Sequence, residues 1–184
     1  KLKLMNHKTD FISINIAIVT ISDSRTLKDD KSGEVLEQRV IKNGHKIFSR
    51  EIVKDDFNKI SKLFTNLINN QQVDVIISTG GTGLTGRDIT PEVMETLFEK
   101  SIDGFGEMFR WLSFSKIGTS ALQSRALAGV SNGTYIFCLP GSPSACKDGW
   151  DDILSHQLDI RHKPCNFVEI MPRLQEHKAY RSKT

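Results

Sequence analysis

Three cysteines are too few and too scattered to staple this chain. Cys138, Cys146 and Cys165 are odd in number and form no CxxC pair, so neither a disulfide framework nor a zinc ribbon is indicated. They read as reduced thiols of a cytosolic protein. The five histidines show no ligand spacing, which argues against structural zinc. Long apolar runs are missing as well. No segment approaches the length that crosses a bilayer, and no secretory h-region precedes the first strand, so no membrane partner is expected. Charge of one sign is scarce: 25 basic against 22 acidic residues leave a formal +3. Lys and Arg do not gather into a run, so no nucleic-acid partner is expected either. No internal repeat or low-complexity segment appears. What remains, 184 residues with 38% hydrophobic and 26% charged, is long enough for one domain with a full core, and a cytoplasmic location is expected. That domain is placed at residues 11–172. Residues 1–10 (with Met5 a candidate natural start) and 173–184 read as tails.

The densest information lies between Val73 and Glu92. Val73 to Ile77 is a nearly continuous β-branched run, as in a strand covered on both faces of a parallel sheet. Gly80, Gly81 and Gly83 permit positive φ and clear side chains from a backbone that a ligand approaches closely. Thr90-Pro91-Glu92 reads as a helix start, with Thr90 as N-cap and proline at the first helical position. Strand, glycine loop and helix N-terminus form a common phosphate site, because N–H groups and the helix dipole favour an anion. Asp88 has the wrong sign to hold phosphate and the right sign for Mg²⁺ on a nucleotide. The alternative is that Asp88 braces the loop.

The remaining chain reads as alternating strands and helices. Phe11–Ser22 is a first strand, followed by a polar loop from Asp23 to Lys31. A helix from Ser32-Gly33-Glu34 stops at Asn43-Gly44, and His45–Val53 is a second strand. Ile60, Leu63, Phe64, Leu67 and Ile68 make one apolar helical stripe. Ile102–Lys116 is expected as a helix interrupted near its start by Gly104 and Gly106. Arg125–Val130 and Thr134–Leu139 flank Asn132-Gly133, a hairpin signal. Pro140-Gly141-Ser142-Pro143 then repeats the earlier theme of strand, tight loop, hydroxyl cap and proline-started helix, here Ser144–Leu158. The pattern predicts a three-layer α/β/α sandwich with a mostly parallel sheet and a local antiparallel hairpin.

Several motifs carry a family resemblance: Thr20-Ile-Ser-Asp23, Asp30-Lys-Ser-Gly33, Ser78-Thr-Gly-Gly-Thr-Gly83, Arg87-Asp-Ile-Thr-Pro-Glu92, Ser124-Arg125 with Ala128-Gly129, and Leu139-Pro-Gly-Ser-Pro143. In this order the chain resembles the MoaB/MogA family of molybdenum-cofactor biosynthesis proteins over Ile14 to Pro172. Gly104–Arg110 and Pro164–Phe167 look more like the MoaB branch. The resemblance implies an α/β/α domain that assembles as trimers or hexamers. It also implies molybdopterin adenylyltransfer, in which molybdopterin attacks the α-phosphate of ATP with Mg²⁺ present. The family's two important acids map onto Asp55 and Asp88.

Residue chemistry is compatible with that role. Nucleotidyl transfer needs mainly positioning and charge neutralisation, and Mg²⁺ on a nucleotide takes one or two carboxylates. Asp55 and Asp88 each follow a strand and precede a helix, so both belong at the carboxyl edge of the sheet. N-capping of the next helix by Asp55 or Asp56 is the simpler alternative. Ser22, Asp23, Gly80, Gly81, Thr82, Gly83, Ser124, Pro140, Gly141, Ser142 and Pro143 are the ligand-binding candidates, the two glycine-proline loops suggesting a bipartite anion site. Arg125 and Lys147 are candidates for neutralising phosphate charge. Trp111 and Trp150 could stack on a ring, but packing is the commoner use. The aromatic load of Ile102–Lys116 suggests that part of it meets another subunit. A non-catalytic pterin-binding protein is the competing function. A nucleotide-dependent oxidoreductase fails because Gly80-Gly-Thr-Gly83 is not GxGxxG.

Overall fold

The computed structural model describes residues 10–181. In chain order the elements are β1 (Asn15–Ile21), α1 (Lys31–Lys42), β2 (Lys46–Val53), α2 (Phe57–Ile68), β3 (Val75–Thr79), α3 (Thr90–Leu97), β4 (Lys100–Ser101) and α4 (Asp103–Ile117). A 3₁₀ turn at Gly118–Gln123 leads to β5 (Leu127–Ser131), β6 (Thr134–Leu139) and α5 (Pro143–Gly149). A π-turn at Trp150–Leu154 and α6 (Ser155–Gln157) follow. The described chain ends with α7 (Phe167–Ile170) and α8 (Glu176–Arg181).

Six strands form one sheet in the order β2-β1-β3-β6-β5-β4. β2, β1, β3 and β6 run parallel, whereas β5 pairs antiparallel with both β6 and β4. Strand alternation divides the side chains between two cores, since successive residues point to opposite faces. Ile16, Ile18, Val75, Ile77, Tyr135 and Phe137 face α1, α4 and α5. Ala17, Val19, Ile76 and Ile136 face the apolar stripe of α2 and Val93 and Met94 of α3. Helices thus cover both sides, and the expected three layers are present. Each fully buried aliphatic side chain adds about 1.5 to 3 kcal/mol.

Several local expectations change. The first strand covers Asn15–Ile21 only, and β3 starts at Val75 rather than Val73. α1 begins at Lys31, because buried Asp30 caps it by accepting from Gly33 N at 2.9 Å. α4 is continuous through Gly104 and Gly106. Gly106 serves close packing there, since a Cβ on it would lie 2.4 Å from the Ala126 carbonyl. The helix after Pro143 is reshaped by the π-turn and ends at Gln157. The hairpin turn is as expected, with Asn132 (φ 47°) and Gly133 (φ 84°) both left-handed, the backbone that a two-residue type I′ turn requires. The expected N-terminal tail lies mostly outside the described residues. Residues 173–181 include α8, and Lys178 donates to the Asn132 side chain at 2.6 Å.

Candidate functional site

Register places four loops in a row. Ile21 pairs with Val53, Thr20 with Thr79, and Thr79 with Leu139, so the parallel strands end level. The loops that follow carry Asp55, Ser22, Gly80 and Pro140. β1 lies between β2 and β3, which makes the β1/β3 edge a topological switch point, where ligands of open α/β sheets bind. A cleft of about 620 Å³ opens there. Its walls include Ser22, Asp55, Gly80, Gly81, Thr82, Gly83, Asp88, Ser124, Pro140, Gly141 and Ser142. Of the ligand-binding candidates, Asp23 and Pro143 are not among its lining residues. Asp23 pairs with Arg87, and Pro143 is the first residue of α5, behind its N-cap Ser142. A second groove of about 660 Å³, lined by Glu95, Glu107 and Arg110 among others, shares Ser124 and Arg125's neighbourhood but contains neither glycine loop nor Asp55.

The glycine loop must be glycine for steric reasons. Gly80 has φ 106°, and a Cβ on it would lie 2.2 Å from the Ile21 carbonyl. Gly81 has φ 64°, with Thr90 Oγ1 2.3 Å and Asp55 Oδ1 2.9 Å from its would-be Cβ. Gly141 packs directly on this loop, its would-be Cβ 3.4 Å from Gly80 Cα, so the two glycine-proline loops abut. Thr90 is not the N-cap. It is the first residue of α3 after Ile89, its hydroxyl donates to the Gly80 carbonyl at 3.0 Å, and its N–H donates to Gly81 O at 3.0 Å. Pro91 has no N–H, so the first turn of α3 offers an anion less than expected. Thr90 is a clamp on the loop instead.

The two acids differ in their surroundings. Asp56, not Asp55, caps α2, accepting from Lys59 N at 2.9 Å. Asp55 is left facing the cleft with a buried Oδ1 that has no hydrogen-bond partner. Burial, then the neighbouring Asp23 and Asp88, raise its pKa above the usual aspartate range, with Arg87 acting the other way. Burial pushes the Asp88 carboxyl up as well, but hydrogen bonds from Thr85 and Gly83 and the nearby Arg125 outweigh it and hold the pKa low. Asp88 Oδ2 accepts from Thr85 N at 2.9 Å and Thr85 Oγ1 at 2.7 Å. Asp88 therefore braces the loop and lines the cleft together. Among the described residues no three His, Cys, Asp or Glu side chains converge closely enough to hold a metal alone.

The basic residues are placed differently from expectation. Arg125 is a strut: Nε donates to Gly83 O and Nη2 to Asp88 O, each at 2.8 Å, and Nη1 pairs with Glu92. Lys147 is exposed and off the cleft wall. Arg25, which sequence reasoning passed over as part of a polar loop, lines the cleft and donates to Gly141 O at 3.2 Å. Asp30 was also passed over as a site element. Fully buried, it accepts from Thr20 Oγ1 at 2.8 Å and Arg50 Nη2 at 3.2 Å, fixing α1 beneath the loops. Its signal was a carboxylate three residues before Gly33, the spacing of a side-chain cap. Phe109 and Ser113 of α4 also line the cleft. Trp150 is in the core and Trp111 is 73% exposed. Neither lines the cleft.

A doubly covered, mostly parallel sheet thus carries glycine loops and the Asp55 and Asp88 carboxylates over its switch point, where ligands of such sheets bind. Residues 17–160 match the family described as "Probable molybdopterin binding domain", and the chain belongs to that family, on its MoaB side. It is 47% identical to molybdenum cofactor biosynthesis protein B of Escherichia coli (strain K12) over 159 residues, 86% of this chain and 94% of the relative. It is 39% identical over 142 residues, 73% of this chain and 84% of the relative, to a protein of Methanocaldococcus jannaschii named "Probable molybdopterin adenylyltransferase". A crystal structure of a molybdenum cofactor biosynthesis protein B superimposes with a TM-score of 0.81 at 37% identity, covering 90% of this chain and 98% of that one. Among the described residues no helix is long and apolar enough to cross a membrane.

Proposed function

We propose that this chain is a molybdopterin adenylyltransferase of molybdenum-cofactor biosynthesis, transferring AMP from Mg²⁺-bound ATP to the molybdopterin phosphate with release of pyrophosphate. The observation that carries the reading is Asp55: a carboxylate oxygen buried without a partner at the cleft, packed against the Gly81 loop. An orphaned buried acceptor is costly unless something pairs with it. A hard divalent cation is the natural complement for such an oxygen, with Asp88 across the same cleft. The donor set therefore fits Mg²⁺, with substrate phosphates completing its shell. When bound, the ion withdraws charge from the phosphate oxygens of ATP.

The protein's own part is positioning. Gly80, Gly81, Gly83 and Gly141 leave backbone of the two loops open to two phosphate groups, one from each substrate. Thr90, Arg125 and the Thr85–Asp88 contacts keep the first loop in shape, and Arg25 ties the second to the β1–α1 loop. With the two substrates held in line, a molybdopterin phosphate oxygen attacks the α-phosphorus as the bond to pyrophosphate breaks. The function also calls for a homo-oligomer, a trimer or hexamer. Met108, Trp111, Phe114 and Ile117 form an exposed apolar stripe along α4, which supports self-association on that side.

The test is incubation of the purified protein with molybdopterin, ATP and Mg²⁺ and detection of adenylyl-molybdopterin and pyrophosphate, beside Asp55→Asn and Asp88→Asn controls. Product that both substitutions abolish supports the enzyme. Bound pterin without product would favour a binding protein on the same fold.

A further inference from the structure

Among the described residues, one cation beside the acid side of the cleft has little else to do. Asp23 and Asp88 both bear electrostatically on Asp55, and Arg87 is the cation that offsets them there. Arg25 is committed to Ser32, Gly141 and Asp30. Arg125 is committed to Gly83, Asp88 and Glu92. Arg87, by contrast, pairs only with Asp23 among the described residues, from the opposite loop, and its side chain is 73% exposed. Its neighbour Gly86 has nothing within 4 Å of a would-be Cβ, so space surrounds this stretch of the loop. An exposed ion pair of this kind adds little stability and exchanges easily. A guanidinium matches a phosphate at least as well as a carboxylate, bidentately.

We propose that Arg87 is a transferable counter-cation: Asp23 parks it over the acids in the free protein, and an incoming polyphosphate takes it from Asp23. In the parked position its positive charge stands in for part of a divalent ion's and competes with it. After transfer, Arg87 neutralises the polyphosphate and Asp23 is released to the metal side. Charge order at the site follows: free acids never face solvent uncompensated, and metal and nucleotide bind better together than apart. This rests on the Mg²⁺–ATP reading of the cleft above.

The test is equilibrium binding without molybdopterin, so that no turnover occurs. Mn²⁺ alone is followed by electron paramagnetic resonance, and Mg²⁺–ATP by calorimetry, in the wild type, Arg87→Gln and Asp23→Asn. Arg87→Gln should tighten Mn²⁺ binding about threefold, because a like charge has left. It should weaken ATP binding about tenfold through a lost charge-assisted contact. Asp23→Asn should tighten ATP binding, since Arg87 is no longer held. Opposite signs for the two partners of one ion pair are what a simple strap between loops would not produce. ATP affinity falling in both variants, or unchanged in Arg87→Gln with the wild type binding normally, overturns the counter-cation alone. A wild type that binds neither Mn²⁺ nor ATP overturns the function proposed above and this inference with it. Both side chains are at the surface, and matching thermal melts verify that the fold is kept.

Discussion

Asp55 Oδ1 lies where a side chain on residue 81 would have to go: a Cβ on Gly81 would sit 2.9 Å from it. Two loops from different strands are thereby forced into one surface, and neither position is free to vary alone. At this contact the acid keeps a buried oxygen without a hydrogen-bond partner among the described residues.

Gly81→Val should therefore fail in two ways. The left-handed φ costs about 1 to 2 kcal/mol for a residue with a Cβ, and the side chain collides with Thr90 Oγ1 and Asp55. Thermal unfolding should show a lower midpoint, and calorimetry a loss of ATP affinity. Unchanged affinity in a folded variant would mean that the loop serves only the turn.

Adjacent acids should separate cleanly by substitution. Asp56→Ala removes the α2 cap and should lower stability by about 1 kcal/mol while leaving turnover nearly intact. Asp55→Asn should leave stability unchanged or raised, because the carboxylate it replaces is buried without a partner, and should abolish adenylyl transfer. Denaturant midpoints and product assays on the two variants decide it, and swapped phenotypes would remove Asp55 from the metal site.

The two cleft acids should also give opposite pH dependences. Asp88 is held below the ordinary 3.8, so its contribution to stability is present above that value and lost as pH falls through its folded pKa. Asp55 is raised above 3.8, so its protonated form favours the native state, and that contribution is lost as pH climbs through its folded pKa. A divalent ion relieves the ionised form, so Mn²⁺ affinity should rise over the interval just above 3.8 in the wild type. Asp55→Asn should flatten this rise. Urea midpoints with EDTA or Mg²⁺ across that interval provide the check.

Arg125 should not tolerate lysine. Its fork reaches Gly83 O, Asp88 O and Glu92 at once, and a single ammonium cannot. Arg125→Lys should cost about 1 to 3 kcal/mol and reduce kcat/KM by loosening the loop, measured by melting and steady-state assays. Wild-type stability would show that the strut is dispensable.

Much of the architecture was legible because it follows local rules. β-branched runs, the α2 stripe, Asn132-Gly133 and Ser142-Pro143 each specify backbone within a few residues. The misreadings came where a tertiary partner overrode the local signal. Thr90 looked like a cap, but its hydroxyl is drawn to the Gly80 carbonyl. Gly104 and Gly106 looked like breakers, but α4 needs Gly106 to approach Ala126. Along the chain Arg125 reads as a phosphate-neutralising cation, yet loop carbonyls more than thirty residues away in sequence occupy it.

By itself the sequence determined the layer order, the glycine loops and the family, since period, turn chemistry and motif order are properties of neighbours along the chain. Only the tertiary structure decided which of Asp55 and Asp56 is free, that Asp88 both braces and lines, that Arg25 lines the cleft, and that Asp30 holds α1 beneath the loops. The reason is that a polar group's role depends on whether something in space already satisfies it. For Asp56 the partner is the next helix, and for Asp55, among the described residues, there is none.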